Sequence, residues 1–244
     1  MAKFRIIPRL EIKGMNLIKG MRMEGLKVVG NPIEFAQKYY LDGADEIIYD
    51  DIVATLYDRK INLNLIKQIS NNIHIPFCVG GRIQSLKDIR DILKSGASKV
   101  FINSYIFKNS RFVLDAAKKY GSQCIAVCIH YKILKSGKVI VLSESGRENQ
   151  FIDLFDWIKF INNSGAGEIL LISINNDGMG MGIDRDLIIK ARKLTNLPLL
   201  IGGGISKLSH IKNLIELRCN GVLISKSLHY NEIKLNNLKK YSFK

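Results

Sequence analysis

The sequence predicts an α/β fold, a single (β/α)8 barrel over residues 1–244, assembled from two like halves of about 1–122 and 123–244. Three observations predict it. Ile75-Pro-Phe-Cys-Val-Gly-Gly-Arg-Ile83 returns as Leu197-Pro-Leu-Leu-Ile-Gly-Gly-Gly-Ile205. Gly43-Ala-Asp-Glu-Ile-Ile48 returns as Gly165-Ala-Gly-Glu-Ile-Leu170, at the same spacing of half the chain. That spacing is far longer than a solenoid repeat. Eight short apolar runs also alternate with amphipathic stretches, the pattern of parallel strands joined by helices. An open doubly wound sheet is the alternative, and it explains a twofold repeat less well.

The elements follow in order. Strand-like runs begin near Phe4, Glu46, Pro76, Lys99, Ser122, Glu168, Pro198 and Gly221. Asn31-Pro32 supplies an N-cap and a first-turn proline for the helix after the first strand. Ser85-x-x-Asp88 resembles a capping box for the helix after the third. Two linkers are long, Ile12 to Gly30 and Tyr131 to Gln150. Both follow the C-terminal end of a strand, where long loops more often cover or bind a ligand than serve as plain connections.

Composition narrows the class. The chain is 47% hydrophobic and 24% charged, as a globular core requires. No apolar run approaches the roughly 20 residues of a membrane-spanning helix, and Met1-Ala-Lys-Phe-Arg-Ile-Ile-Pro8 leads into a strand without a signal-peptide pattern. A cytoplasmic location is expected, with no membrane contact. The formal charge is +15, from lysines scattered without a basic block. That suits a phosphorylated ligand or an acidic partner; no nucleic-acid motif accompanies it. Cys78, Cys124, Cys128 and Cys219 form no Cys-x-x-Cys pair and are expected as buried thiols. The spacing of Cys124 and Cys128 would put both on one face of a strand. No metal-ligand spacing occurs, and no cofactor is expected. His74 is expected at the surface, His210 on a solvated helix face, and His229 near the ligand-binding mouth.

In a barrel of this type function gathers at the C-terminal ends of the strands. Those ends carry Glu11, Asp51, Gly80-Gly81, Asn103-Ser104, His130, Asn176-Asp177-Gly178, Gly202-Gly203-Gly204 and Ser225-Lys226. Glycines there let a backbone approach an anion, and helix N-termini favour one. One phosphate cradle would combine Gly80, Gly81, Asn103 and Ser104. The other would combine Gly178, Gly203, Gly204, Ser225 and Lys226. Two cradles at one mouth suit an elongated ligand with a phosphate at each end; tight turns alone are the plainer reading. At the opposite end, Arg5, Glu46, Lys99 and Glu168 open their strands. They form either a stabilising plug or a gate across the barrel axis.

Taken together, these motifs resemble a known family, the cyclase subunit of imidazole glycerol phosphate synthase. The resemblance rests on Arg5-Ile-Ile-Pro8, Lys19-Gly20, Gly30-Asn-Pro32, Gly43-Ala-Asp-Glu46, Asp51-Ile52, Val79-Gly-Gly81, Gly96-Ala-x-Lys99-Val, Ile102-Asn-Ser104, Gly121-Ser-Gln-Cys124 and Asp177-Gly178. It implies a barrel that docks a glutaminase at its N-terminal face and passes ammonia along its axis. It implies that Arg5, Glu46, Lys99 and Glu168 are the ammonia gate, and that Lys19, Asp51 and Asp177 belong to the substrate site. It also implies a catalytic aspartate at the ends of the first and fifth strands. Here those positions are Glu11 and His130. Arg82 stands where the family has glycine, and Lys226 where a small hydroxyl residue is usual.

The parts for ammonia delivery are thus kept, and those for cyclisation altered. That pattern resembles a divergent branch of the family that works with a glutaminase and a separate sugar amidotransferase on surface-polysaccharide or flagellar sugars. Leu142-Ser-Glu-Ser-Gly-Arg147 resembles that branch. The expectation is a channelling subunit for sugar amidination. The alternatives are a cyclase of histidine biosynthesis using Glu11 and His130 as its acid–base pair, and a scaffold whose gate no longer works.

Overall fold

The computed structural model describes residues 3–239; the outermost ends of the expected 1–244 domain, residues 1–2 and 240–244, lie outside the described residues. Twelve strands form one sheet: β1 Arg5–Lys13, β2 Asn16–Met21, β3 Glu24–Gly30, β4 Ile47–Asp51, β5 Phe77–Gly80, β6 Lys99–Ile102, β7 Ile125–Ile133, β8 Val139–Ser143, β9 Glu148–Asp153, β10 Glu168–Ser173, β11 Leu199–Gly202 and β12 Gly221–Ile224. The helices are α1 Pro32–Leu41, α2 Leu63–Ser70, α3 Leu86–Lys94, α4 Tyr105–Lys108, α5 Phe112–Tyr120, α6 Leu154–Asn162, α7 Arg185–Leu194, α8 Leu208–Glu216, α9 Lys226–His229 and α10 Leu235–Lys239.

Eight strands run parallel in the order β1-β4-β5-β6-β7-β10-β11-β12, and β12 pairs with β1 to close the ring. This is the expected (β/α)8 barrel. Period-two alternation divides the side chains. Ile6, Leu10 and Ile12 of β1 pack outward against the helices, whereas Ile7 joins Ile48, Cys78, Phe101, Leu170, Leu200 and Leu223 in a separate interior layer. Helix starts follow local chemistry. Asn31 Oδ1 accepts from the Ile33 amide at 2.9 Å, and Ser85 Oγ accepts from the Asp88 amide at 3.1 Å.

The two long linkers are strands, not open loops. β1 continues into an antiparallel meander with β2 and β3, and β7 continues into one with β8 and β9. On one edge β1 pairs with β12 over Arg5–Pro8 and with β2 over Glu11–Lys13. Likewise β7 exchanges β6 for β8 between Val127 and His130. The halves correspond through their registers: Arg9 sits beside Ile48 as Cys128 sits beside Leu170, so Glu11 and His130 occupy equivalent points where a barrel strand becomes a hairpin.

Two details differ from expectation. The fifth barrel strand starts at Ile125, not near Ser122, because Ser122–Cys124 forms a 3₁₀ turn. Cys124 and Cys128 therefore do not share a strand face. Cys124 is half-buried against the helix layer, and Cys128 is buried in the interior layer. No described helix is long and apolar enough to cross a membrane.

Candidate functional site

The inward positions of β1, alternating Arg5, Ile7, Arg9 and Glu11, set up three levels along the barrel axis. At the N-terminal end, Arg5 bonds Glu46 at 2.7 Å and Glu168 at 2.6 Å. Lys99 bonds Glu168 at 2.8 Å and lies 3.2 Å from Glu46 Oε1. Cations and carboxylates thus alternate in a closed ring. The Lys99–Glu46 link is the weakest: it has the distance of an ion pair but not hydrogen-bond alignment, and Glu46 Oε1 has no hydrogen-bond partner. Burial pushes the Glu46 carboxyl up from its ordinary value. Against the same burial, Lys99 and Arg5 hold Glu168 below its own.

The apolar layer lies above the ring. Beyond it comes a second group of buried charges. Arg9 donates from Nε and Nη2 to Asp50 Oδ2 at 3.0 and 2.7 Å, and from Nη1 to Glu11 Oε1 at 3.0 Å. Lys19, reaching in from β2, bonds Glu11 Oε1 and Oε2 at 2.7 and 2.9 Å and Asp177 Oδ2 at 2.8 Å. Glu11 is 0% exposed. Burial raises its carboxyl, opposed by Lys19 and Arg9. Asp177 is buried too, yet Lys19 and Arg9 hold it below the usual carboxylate value. Asp50 on β4 and Asp177 after β10 belong to opposite sides of the barrel, so the network spans the axis.

The network parts two pockets. One is lined by Asp50, Asp51, Gly81, Arg82, Phe101, Asn103, Ser104, His130 and Glu144. The other is lined by Arg9, Asp177, Gly178, Gly203, Gly204, Ser225 and Lys226. Apart from Gly80, the two sets of cradle residues line these pockets, one set on each side. Gly203 shows why glycine is required: its φ is +87°, and a Cβ would lie 2.4 Å from the Ser173 carbonyl oxygen. Gly80 has another task and is absent from the pocket wall. A Cβ there would lie 2.1 Å from the Phe101 ring, so its missing side chain admits Phe101 to the interior.

Several expected ligand groups already have partners. Lys19 is buried in the network instead of facing a cradle. Asp51 accepts from Arg59 at 2.9 and 3.1 Å. Arg82, at φ +46°, pairs with Asp58. Lys226 lies 3.0 Å from Glu232. Asn103 Nδ2 donates to the Cys128 carbonyl at 2.8 Å, and Ser104 Oγ accepts from the Glu144 amide at 3.0 Å.

His130 is 3% exposed. Its Nε2 lies 3.5 Å from Cys128 Sγ, and its Nδ1 has no hydrogen-bond partner. Burial, and then the nearby Arg9 charge, push the imidazole down to about 3. It is neutral at ordinary pH and a weak base. His229 is buried beside Phe35 and bonded to the Tyr39 hydroxyl at 2.7 Å, so it packs in the helix layer. His74 is exposed, and His210 is half-buried, with Nδ1 accepting from the Ser206 amide at 3.3 Å. Arg9 and Asp50 escaped the sequence reading. The available signal was the alternation of charge through Arg5, Arg9 and Glu11 on one strand face.

The model of one protein family, the histidine biosynthesis proteins, matches residues 5–234. The chain belongs to that family. Among histidine biosynthesis proteins it is 43% identical over 208 residues to the imidazole glycerol phosphate synthase subunit HisF of Legionella pneumophila, covering 85% of this chain and 98% of the relative. It is 38% identical to the same-named subunit of Natranaerobius thermophilus, covering 97% and 94%. With that of Flavobacterium psychrophilum it shares 40% identity, covering 96% and 94%. Family membership accounts for the eight-stranded barrel; the Glu11–Lys19–Arg9 network is read from this chain's own side chains.

Proposed function

We propose that this chain is the ammonia-conducting barrel of a glutamine amidotransferase. A glutaminase docks at the N-terminal face, around the Arg5–Glu46–Lys99–Glu168 ring, and releases ammonia into the interior. The apolar layer favours neutral ammonia over ammonium, because an unpaired charge there is strongly disfavoured. The nitrogen then passes to an acceptor handled by a separate amidotransferase, an acylamino sugar of a surface polysaccharide or flagellum. One observation carries the preference for conduction over cyclisation. Both oxygens of Glu11 are bonded to Lys19 in a fully buried network, which leaves no free carboxylate at the end of the first strand. General acid–base catalysis needs a group within hydrogen-bond reach of its substrate.

The second reading is the cyclase of imidazole glycerol phosphate synthase, with Glu11 and His130 as the acid–base pair. The names of the relatives favour it directly. It requires Lys19 to release Glu11 when substrate binds.

The experiment supplies purified protein with the bisphosphorylated aminoimidazole substrate and excess ammonium salt. The channelling reading expects no turnover, together with glutamine hydrolysis stimulated when the barrel binds its glutaminase. Turnover comparable to an aspartate-bearing relative overturns that reading in favour of the cyclase. Absence of glutaminase coupling overturns the channelling reading, and absence of turnover as well overturns both.

A further inference from the structure

The mouth of the barrel carries an apolar surface that neither the cradles nor the buried network uses. Most large apolar side chains exposed among the described residues lie on segments that follow barrel strands: the β2–β3 meander, the loops after β4 and β10, β9 and the end of α9. Every methionine after Met1 lies in two of these segments, the meander after β1 and the loop after β10. The two segments touch. The Arg22 amide donates to the Asp177 carbonyl at 2.8 Å, and a Cβ on Gly178 would lie 3.5 Å from Met21 Cγ. Met21 also lines a surface pocket with Tyr230.

The run Gly178-Met-Gly-Met-Gly182 accounts for how the methionines are presented. Its glycines have φ of +72°, +71° and +88° and press against Gly20, Ser206 and His210 in turn. The loop backbone is thereby held down, and the side chains between the glycines face outward; Met181 is 71% exposed. Met21, Met179, Met181 and Tyr230 thus form one exposed apolar face at the rim of the second pocket, which Gly178 and Gly180 line. Single exposed apolar side chains are ordinary, whereas a contiguous group marks a binding surface. Methionine on such a face adapts to the contours of a partner, and tyrosine is a common anchor. Charge narrows the partner. Arg22, Lys27, Lys207 and Lys226 border the face, against Glu24 and Glu232, in a chain of formal charge +15. Two copies meeting mouth to mouth would oppose like charges, whereas an acidic protein surface is attracted. A lipid surface fits less well: the face holds no Trp, Phe or Leu and is not an amphipathic helix.

We propose that the face formed by Met21, Met179, Met181 and Tyr230 docks an acidic surface of the protein that consumes the nitrogen, the separate amidotransferase. The proposal rests on the channelling reading above, in which the glutaminase takes the opposite face. The apolar side chains supply the buried centre of the contact. The bordering cations supply its rim and steer the acidic partner onto the mouth.

The test titrates the purified sugar amidotransferase of the same organism into the intact chain, held in its complex with the glutaminase, and follows the heat of binding. The expected result is a saturable complex whose affinity falls as salt rises. Met181→Glu should weaken it by about tenfold or more, because a charge replaces a side chain at the centre of the contact. Met21→Glu takes its place if Met181→Glu does not fold. Lys27→Glu should weaken binding more than Lys159→Glu, which makes the same change of charge on the exposed side of α6. Each variant should keep its affinity for the glutaminase, which reports on the fold and on the opposite face. No complex, equal affinity of the native chain and the methionine variants, or equal effects of Lys27→Glu and Lys159→Glu overturns the surface. Self-association of the chain alone, or binding to vesicles of anionic phospholipid, overturns it too if Met181→Glu abolishes either one. Turnover of the bisphosphorylated substrate decides the channelling reading separately. A failed titration beside intact glutaminase coupling and no such turnover overturns the docking surface alone.

Discussion

His130 shows what a single residue contributes and what it withholds. Its imidazole stays neutral because burial and Arg9 hold it at about 3, against an ordinary value of 6.5. The unfolded chain therefore takes up the proton first as pH falls. The associated stability is complete above about 6.5 and is lost progressively as pH drops toward 3. Each such imidazole contributes a slope of about 1.4 kcal/mol per pH unit below 6.5. Urea unfolding at pH 7, 6 and 5 should show His130→Gln with a shallower acid-side loss than the native chain by about that amount. Equal slopes would refute a buried neutral imidazole. The sequence made His130 conspicuous, because one polar residue ends an apolar run. It did not reveal Arg9 as the neighbour that depresses it, or that Glu11 lies beneath Lys19. Those pairings depend on side chains that meet only after the barrel closes, Lys19 and Asp177 being 158 residues apart.

At the scale of elements, the eight parallel strands were legible and the two meanders were not. The repeat and the alternation of apolar runs define the barrel, whereas strands within Ile12–Gly30 and Tyr131–Gln150 break the usual punctuation. The β2–β3 turn uses Arg22 and Met23 at φ +53° and +61°, where glycine or asparagine would have announced a hairpin. Exposed Val28 and Phe151 further blur the pattern. The strand β5 offers a direct check on interior packing. In Gly80→Ala the added Cβ would fall within 2.1–2.3 Å of three Phe101 ring atoms, a rigid obstacle. Overpacking of this kind costs about 1–3 kcal/mol. Gly14→Ala meets nothing within 4 Å and bears only the strain of φ +67°, about 1–2 kcal/mol. Thermal unfolding should rank Gly80→Ala below Gly14→Ala, and the pair Gly80→Ala/Phe101→Leu should recover part of the loss. The reverse ranking would show that Phe101 is free to move.

The whole molecule is a tube closed by charge at the bottom and crossed by charge near the top, with an apolar stretch between. Arg5→Met tests the lower closure. It strips Glu46 and Glu168 of a shared partner, and should cost about 1–3 kcal/mol. That is less than the roughly 3–5 for breaking a fully buried pair, because solvent reaches this end. Under the channelling reading the same variant should lower glutamine-driven nitrogen transfer while sparing transfer driven by added ammonium; equal loss of both would remove the ring from the conducting path. The meanders have one more consequence. Barrel closure leaves only β3 and β9 as sheet edges among the described strands. Both carry charge: β3 has Glu24 and Lys27, and β9 has Glu148 and Asp153. Charges along an exposed backbone ladder oppose the docking of a foreign strand. The hairpins that roof the mouth thus also decide how the protein behaves when crowded, giving neighbouring copies little chance to zip together into aggregates.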